Sequence, residues 1–175
     1  MWRFGAAFVL VLIHAVPALA AELPTRKAGL WEMTTVTNGR TIPIQQCLDA
    51  ATDQIMQANA GLTAQRSCSK RDVQKSGDTV TIDSVCAISG KTLTNHTVIT
   101  GSFESSYTMT ITTQGESIPV ARNMTITAKW VGPCAADQKP GDMIMQNGTK
   151  MNLVDMQKRA AQPGAPPPPS ASPPR

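Results

Sequence analysis

Apolar and polar positions alternate along most of this chain, and a period of two is the pattern of strands with one buried face. Val80, Ile82 and Cys86 alternate with Thr79, Thr81 and Asp83. Tyr107, Met109 and Ile111 share one face of the run from Ser105 to Thr113, and Met124, Ile126, Ala128 and Trp130 share one face of the run from Ile118 to Val131. Thr92 to Thr100 is a further run rich in Thr, Ile and Val, with Gly101 and Gly115-Glu116 separating these segments. Earlier, Gly29 to Thr37 leads into Asn38-Gly39, the pair a type I′ turn favours, and a return strand from Arg40 to Cys47. That turn sets Met33 opposite Ile44 and Thr35 opposite Ile42. Pro43 lacks the N–H that a central strand donates, so the return strand is expected at an edge or at a bulge. The connections are too short for parallel crossovers, which predicts an antiparallel meander.

Two stretches break the period. From Leu48 to Ala60, Leu48, Ala51 and Ile55 fall on one helical face, with Asp49 near the start and Gly61 past the end. This helix would cover an open side of the sheet. A second short helix is expected from about Asn152 to Ala161, after turns at Pro140-Gly141 and Asn147-Gly148, with Lys158 and Arg159 in the last turn where they suit the helix dipole. The expected fold is mainly β, an antiparallel meander of about seven strands forming an open barrel or sandwich, with two short helices and two disulfides.

The cysteines are Cys47, Cys68, Cys86 and Cys134, which allow three pairings. A three-residue loop at Ser76-Gly77-Asp78 would place position 68 opposite position 86. Opposed Cα atoms lie about 4.5 to 5.5 Å apart in an antiparallel pair, within the span of a disulfide. If Cys68 pairs with Cys86, the remaining bridge is Cys47 with Cys134, whose long loop is worth about 4 kcal/mol in the chain-entropy model.

The ends read differently from the middle. Arg3, an apolar run from Phe4 to Val16 and Ala18-Leu19-Ala20 have the layout of a secretory signal peptide, so residues 1–20 are expected to be removed. No later run is long and apolar enough to span a membrane. Pro163 to Arg175 is Pro, Ala, Ser and Gly apart from the terminal Arg, and reads as a disordered tail. Between them, residues 21–162 are of one-domain size. Aromatics make up only 4% of the chain, so Ile, Val, Leu and Met must build the core, and a small core benefits from disulfides. The net charge of +4 falls to +3 once Arg3 leaves. Its cations are scattered and not interleaved with aromatics, which argues against nucleic acid.

Catalytic patterns are missing. The portion after the signal holds one histidine, His96, set in a predicted strand, and no Gly-x-Ser-x-Gly elbow. Asp49, Asp53, Asp78, Asp83, Glu104 and Glu116 supply carboxylates, but no spacing singles out a pair. Phosphate loops, EF-hands, dinucleotide fingerprints and C-x-x-C spacings are likewise lacking. No catalytic, cofactor or metal residue is assigned. One metal question stays open at Met143-Ile144-Met145, with Met151 and Met156 nearby, because thioethers suit Cu(I) and are also ordinary core fillers. Asn95-His96-Thr97, Asn123-Met124-Thr125 and Asn147-Gly148-Thr149 match the glycosylation triplet, two of them within predicted strands.

Gly29-Leu30-Trp31-Glu32, Cys47 ending the next strand, the Cys68 and Cys86 pair, Gly101 with Tyr107, and Trp130-Val131-Gly132-Pro133-Cys134 together resemble domain of unknown function family 3617, a group of small exported bacterial proteins. The resemblance covers roughly Ala28 to Asn152. It implies a periplasmic or secreted protein of a Gram-negative bacterium and carries over no catalytic residue. The expected role is a non-enzymatic binding or envelope-associated module whose partner is a small apolar ligand or an envelope protein. The alternative is an inhibitor of an envelope hydrolase or protease.

Overall fold

The computed structural model describes residues 23–65, 68–88, 90–116 and 118–160; the expected signal peptide and the Pro-rich tail lie outside them. Nine strands form one antiparallel sheet that does not close on itself. They are β1 (Gly29–Thr37), β2 (Arg40–Leu48), β3 (Cys68–Ser76), β4 (Thr79–Ile88), β5 (Lys91–Ser102), β6 (Ser106–Gly115), β7 (Ile118–Gly132), β8 (Asp142–Met145) and β9 (Lys150–Asn152). Their spatial order is β3-β4-β5-β6-β7-β1-β2-β8-β9. The expected count of about seven missed β8 and β9, which have four and three residues and sit in a stretch dense in Pro, Gly and Asn.

Helix α1 (Ala50–Gln65) runs from the end of β2 to the start of β3 and packs against both. Those strands are six places apart in the sheet, about 29 Å if it were flat. A helix of 16 residues is about 24 Å long, most of that separation. Helix α2 (Leu153–Ala160) follows β9 and touches α1.

Turn chemistry sets the first hairpin as expected. Asn38 and Gly39 have φ of 49° and 72°, and Met33 pairs with Ile44 and Thr35 with Ile42. Pro43 lies on the half of β2 that has no outer neighbour, since β8 pairs only with Ile44 to Gln46. The second hairpin reaches its expected pairing by another route. Its loop is the two residues Gly77-Asp78, with Ser76 opposite Thr79 and Gly77 at φ 58°, the glycine position of a type II′ turn. A bulge between Cys68 and Lys70 then shifts the register by one and restores Cys68 opposite Cys86. Gly101 does not end its strand either. It lies within β5 opposite Tyr107, at φ 112°, where a Cβ would meet the Ser106 carbonyl at 2.6 Å.

The core sits on the face that α1 covers, built from Trp31, Leu48, Met56, Val80, Ile99, Tyr107 and Ala128. Trp31 is wholly buried, its indole N–H donating to the Lys27 carbonyl at 2.8 Å and its ring centroid 5.7 Å from that of Tyr107. The two most distinctive sequence stretches meet here. Leu30 pairs with Gly132 and Trp31 with Trp130, and a Cβ on Gly29 would collide with the Gly132 carbonyl. Trp130 in turn donates to the Ala28 carbonyl at 3.0 Å and carries the Lys27 ammonium 3.8 Å from its ring centroid.

Candidate functional site

Both disulfides have the expected partners. Cys68–Cys86 closes the hairpin, and Cys47–Cys134 spans 87 residues, joining the end of β2 to the loop after β7. No cysteine is free.

His96 meets a carboxylate. Opposite Asp83 across β4 and β5, its Nδ1 lies 2.7 Å from Asp83 Oδ1. The pair is on the solvent face, with both side chains about half exposed, beside an open depression of ≈ 360 Å³ lined in part by Thr94, Thr112 and Gln114. The neighbouring Thr112 hydroxyl donates to Asn123 Oδ1 at 3.0 Å, and so is turned to β7 rather than to the imidazole. Among the described residues no nucleophile is bonded to this surface His–carboxylate pair.

The other carboxylates are dispersed. Asp49 caps α1, accepting from the Thr52 N–H at 2.8 Å while the Thr52 hydroxyl accepts from the Asp49 N–H at 2.9 Å. These bonds, the Thr52 backbone one foremost, hold the Asp49 carboxyl below its ordinary value. Asp78 lies in the β3–β4 turn, Glu104 in the β5–β6 turn and Glu116 between β6 and β7.

Asp53 has the least expected place. Among the α1 side chains described, Thr52, Asp53 and Met56 are buried, while Ala51 is exposed and Ile55 half-buried, so the face read from Ala51 and Ile55 is not the buried one. Asp53 accepts from the Arg26 backbone N–H at 2.8 Å, from Arg26 Nε at 2.7 Å and from Gln57 Nε2 at 2.8 Å. Arg26 Nη1 donates to Gln46 Oε1 at 3.0 Å and approaches the Tyr107 hydroxyl at 3.5 Å. Burial pushes the Tyr107 hydroxyl above its ordinary value, against the opposing pull of Arg26. Arg26 carries no sequence signal, since a single basic residue in an irregular segment has no period to betray it. Among the described residues every buried side-chain N or O atom has a partner, so this cluster is a closed lock on the N-terminal segment.

The solvent face is different in character. One row across five adjacent strands is all threonine: Thr79, Thr100, Thr108, Thr127 and Thr34 pair successively from β4 to β1. Beside it is an open depression of ≈ 540 Å³ whose walls include Thr34, Thr100, Thr108 and Thr127, with Glu32 and Lys129 at one end and Gly101 in its lining. Met143, Met145 and Met151 lie at the other edge of the sheet, on the face of Gln46 and Ile44. No group of three or more His, Cys, Asp or Glu side chains suited to a metal occurs among the described residues, and no helix there is long and apolar enough to cross a membrane.

Neither the curated proteins nor the solved structures contain a match to this chain. The family described as "Protein of unknown function (DUF3617)" matches residues 26–134, from the arginine of the buried lock to the cysteine that closes the long disulfide. Those residues hold all of β1 to β7 and α1, and the chain belongs to that family.

Proposed function

We propose that this protein is a periplasmic or secreted, non-enzymatic module of the bacterial envelope, and that it works by binding a polar partner on the solvent face of its sheet. The observation that carries the reading is the ≈ 540 Å³ depression set against the threonine row. Threonine alone suits any solvated strand. A concavity floored by backbone at Gly101 and flanked by Glu32 and Lys129 adds shape and charge of both signs. On the other face, side chains around Trp31, Ile99 and Tyr107 pack together as the core, which favours a polar partner over a small apolar ligand.

Export is supported by the four paired cysteines, which suit an oxidising compartment, and by the signal-like start of the chain. The non-enzymatic part rests on the open setting of His96 and Asp83. An envelope protein is the favoured partner, and inhibition of an envelope hydrolase or protease is the form this takes if that partner is an enzyme.

The test is capture from periplasmic extract with the wild type and with Thr108→Arg/Thr127→Arg, which fills the depression without touching the core. A protein retained by the wild type and lost by the variant is the expected result. Equal capture by both removes the face from the reading. Native mass spectrometry of the protein from its own periplasm checks the ligand alternative, because a bound apolar mass released on unfolding would replace this proposal.

A further inference from the structure

The methionines at the β8–β9 edge form a group outside the residues that the family matches. Met143 and Met151 are direct cross-strand partners, and Met145 follows Met143 by two residues on the same face. Opposed residues have Cβ atoms about 4.5 to 5.5 Å apart and diagonal ones about 7 to 8 Å. Each thioether sits at the end of a flexible, unbranched chain, so three such side chains on one face can be turned toward a common point.

The hairpin that carries them is fixed. The Met145 N–H donates to the Thr149 carbonyl at 2.9 Å, and the Gly148 N–H donates to the Met145 carbonyl at 2.9 Å. Met143 packs against the core, Met145 is half-buried, and Met151 is 36% exposed, which leaves a route in from solvent. On these strands, Lys150 pairs with Ile144 on the opposite face and donates to Asp137 Oδ2 at 2.9 Å. The cation on the methionine face is the Arg26 guanidinium, which is bonded to Gln46 opposite Met143 and neutralised by Asp53.

Other donors are accounted for. All four cysteines are in disulfides, and His96 lies on the solvent face of β5, five strands away from β8. The side chain of Asp142 accepts from the Lys139 N–H and from Asn152 Nδ2. What remains is a donor set made only of neutral thioether sulfur, which selects soft monovalent ions and offers nothing to zinc or to oxygen-seeking cations. We infer that Met143, Met145 and Met151 form a binding site for Cu(I). This does not rest on the partner-binding face, and either can fail alone.

The test is anaerobic titration of the full, disulfide-intact mature protein with Cu(I) against a chromophoric chelator, and with Ag(I) as a redox-inert probe. The expected result is one equivalent bound, with the methyl resonances of Met143, Met145 and Met151 shifting and that of Met109 unmoved. Met143→Leu/Met145→Leu should lose at least about tenfold in affinity, or 1.4 kcal/mol, while Met156→Leu keeps the wild-type value. Leucine nearly conserves the volume, and an unchanged metal-free melting temperature verifies the variant's fold. Absence of binding by the wild type, or undiminished affinity in the folded double variant, overturns the site.

Discussion

Arg26 and Asp53, 27 residues apart in sequence, meet as a buried ion pair 2.7 Å across, and the Arg26 backbone N–H closes on the same carboxylate at 2.8 Å. One residue thus anchors both its side chain and its peptide group to the first turn of α1. The segment leading into β1 is held over the core by that pair, together with the bond from the Lys27 N–H to the Phe103 carbonyl at 2.9 Å.

Removing one partner is expected to cost more than removing both. Asp53→Ala leaves the Arg26 guanidinium buried without its counter-charge, for a loss of about 3 to 5 kcal/mol. Replacing the pair with apolar side chains of similar size, Arg26→Met/Asp53→Leu, should recover much of that. Urea unfolding of the two variants and the wild type measures it, and a double variant no more stable than Asp53→Ala would show that the ion pair itself stabilises the fold.

Tyr107 is the sole tyrosine, so its ionisation can be followed by ultraviolet absorbance without interference from another phenol. Its folded value lies above the ordinary 10.0 because burial disfavours phenolate. The neutral form is therefore favoured by folding, and its contribution is complete below pH 10 and lost as pH rises through the folded value. The midpoint in native protein should exceed that in denaturant, with Arg26→Met raising it further by removing the cation that favours phenolate. Equal midpoints in native and denatured protein would contradict the burial.

Asp49 gives the opposite sign. Its folded value is lowered, so its stabilisation is complete above the ordinary 3.8 and is lost as pH falls through the lower folded value. Asp49→Ala should cost about 1 kcal/mol at neutral pH. Asp49→Asn keeps a capping oxygen but should flatten the stability change between pH 5 and pH 2, as read from thermal melts.

The two disulfides should contribute unequally. Cys68→Ser/Cys86→Ser opens a loop with a sequence separation of 18, and Cys47→Ala/Cys134→Ala one with a separation of 87. Chain entropy predicts losses of about 3 and above 4 kcal/mol respectively. Denaturant midpoints of the variants rank them, and a non-reduced peptide map of the wild type checks the pairing. The short bridge should also control fraying of β3, whose outer edge has no neighbouring strand among the described residues, so amide exchange in β3 is expected to rise in the first variant alone.

Much of this architecture is legible in the chain because it is local. Period-two runs, Asn38-Gly39 and Gly77-Asp78 act over a few residues, and they suffice for strands, hairpins and an antiparallel meander. The opposition of Cys68 and Cys86 is legible for the same reason, although the two-residue loop and the bulge near Ser69 that produce it are not. Local rules predict a turn, whereas a one-residue bulge answers to which side chains must face the core.

The Gly-Leu-Trp-Glu and Trp-x-Gly-x-Cys stretches are visible as signatures, but only pairing of β1 with β7 explains them as two sides of one tight contact at Gly29. Apolar spacing does not mark the face that α1 buries, although Met56 belongs to it. That face is centred on a carboxylate whose partner lies 27 residues earlier, and no period in the helix encodes that distance. The threonine row and the methionine group are of the same kind, each assembled from strands that are neighbours only in space. The sequence by itself determined the seven longer strands, both helices, the first hairpin turn and the opposition of Cys68 and Cys86, through interactions a few residues long. Tertiary structure alone decided which faces meet and where charge is buried, because those depend on pairings across the whole sheet.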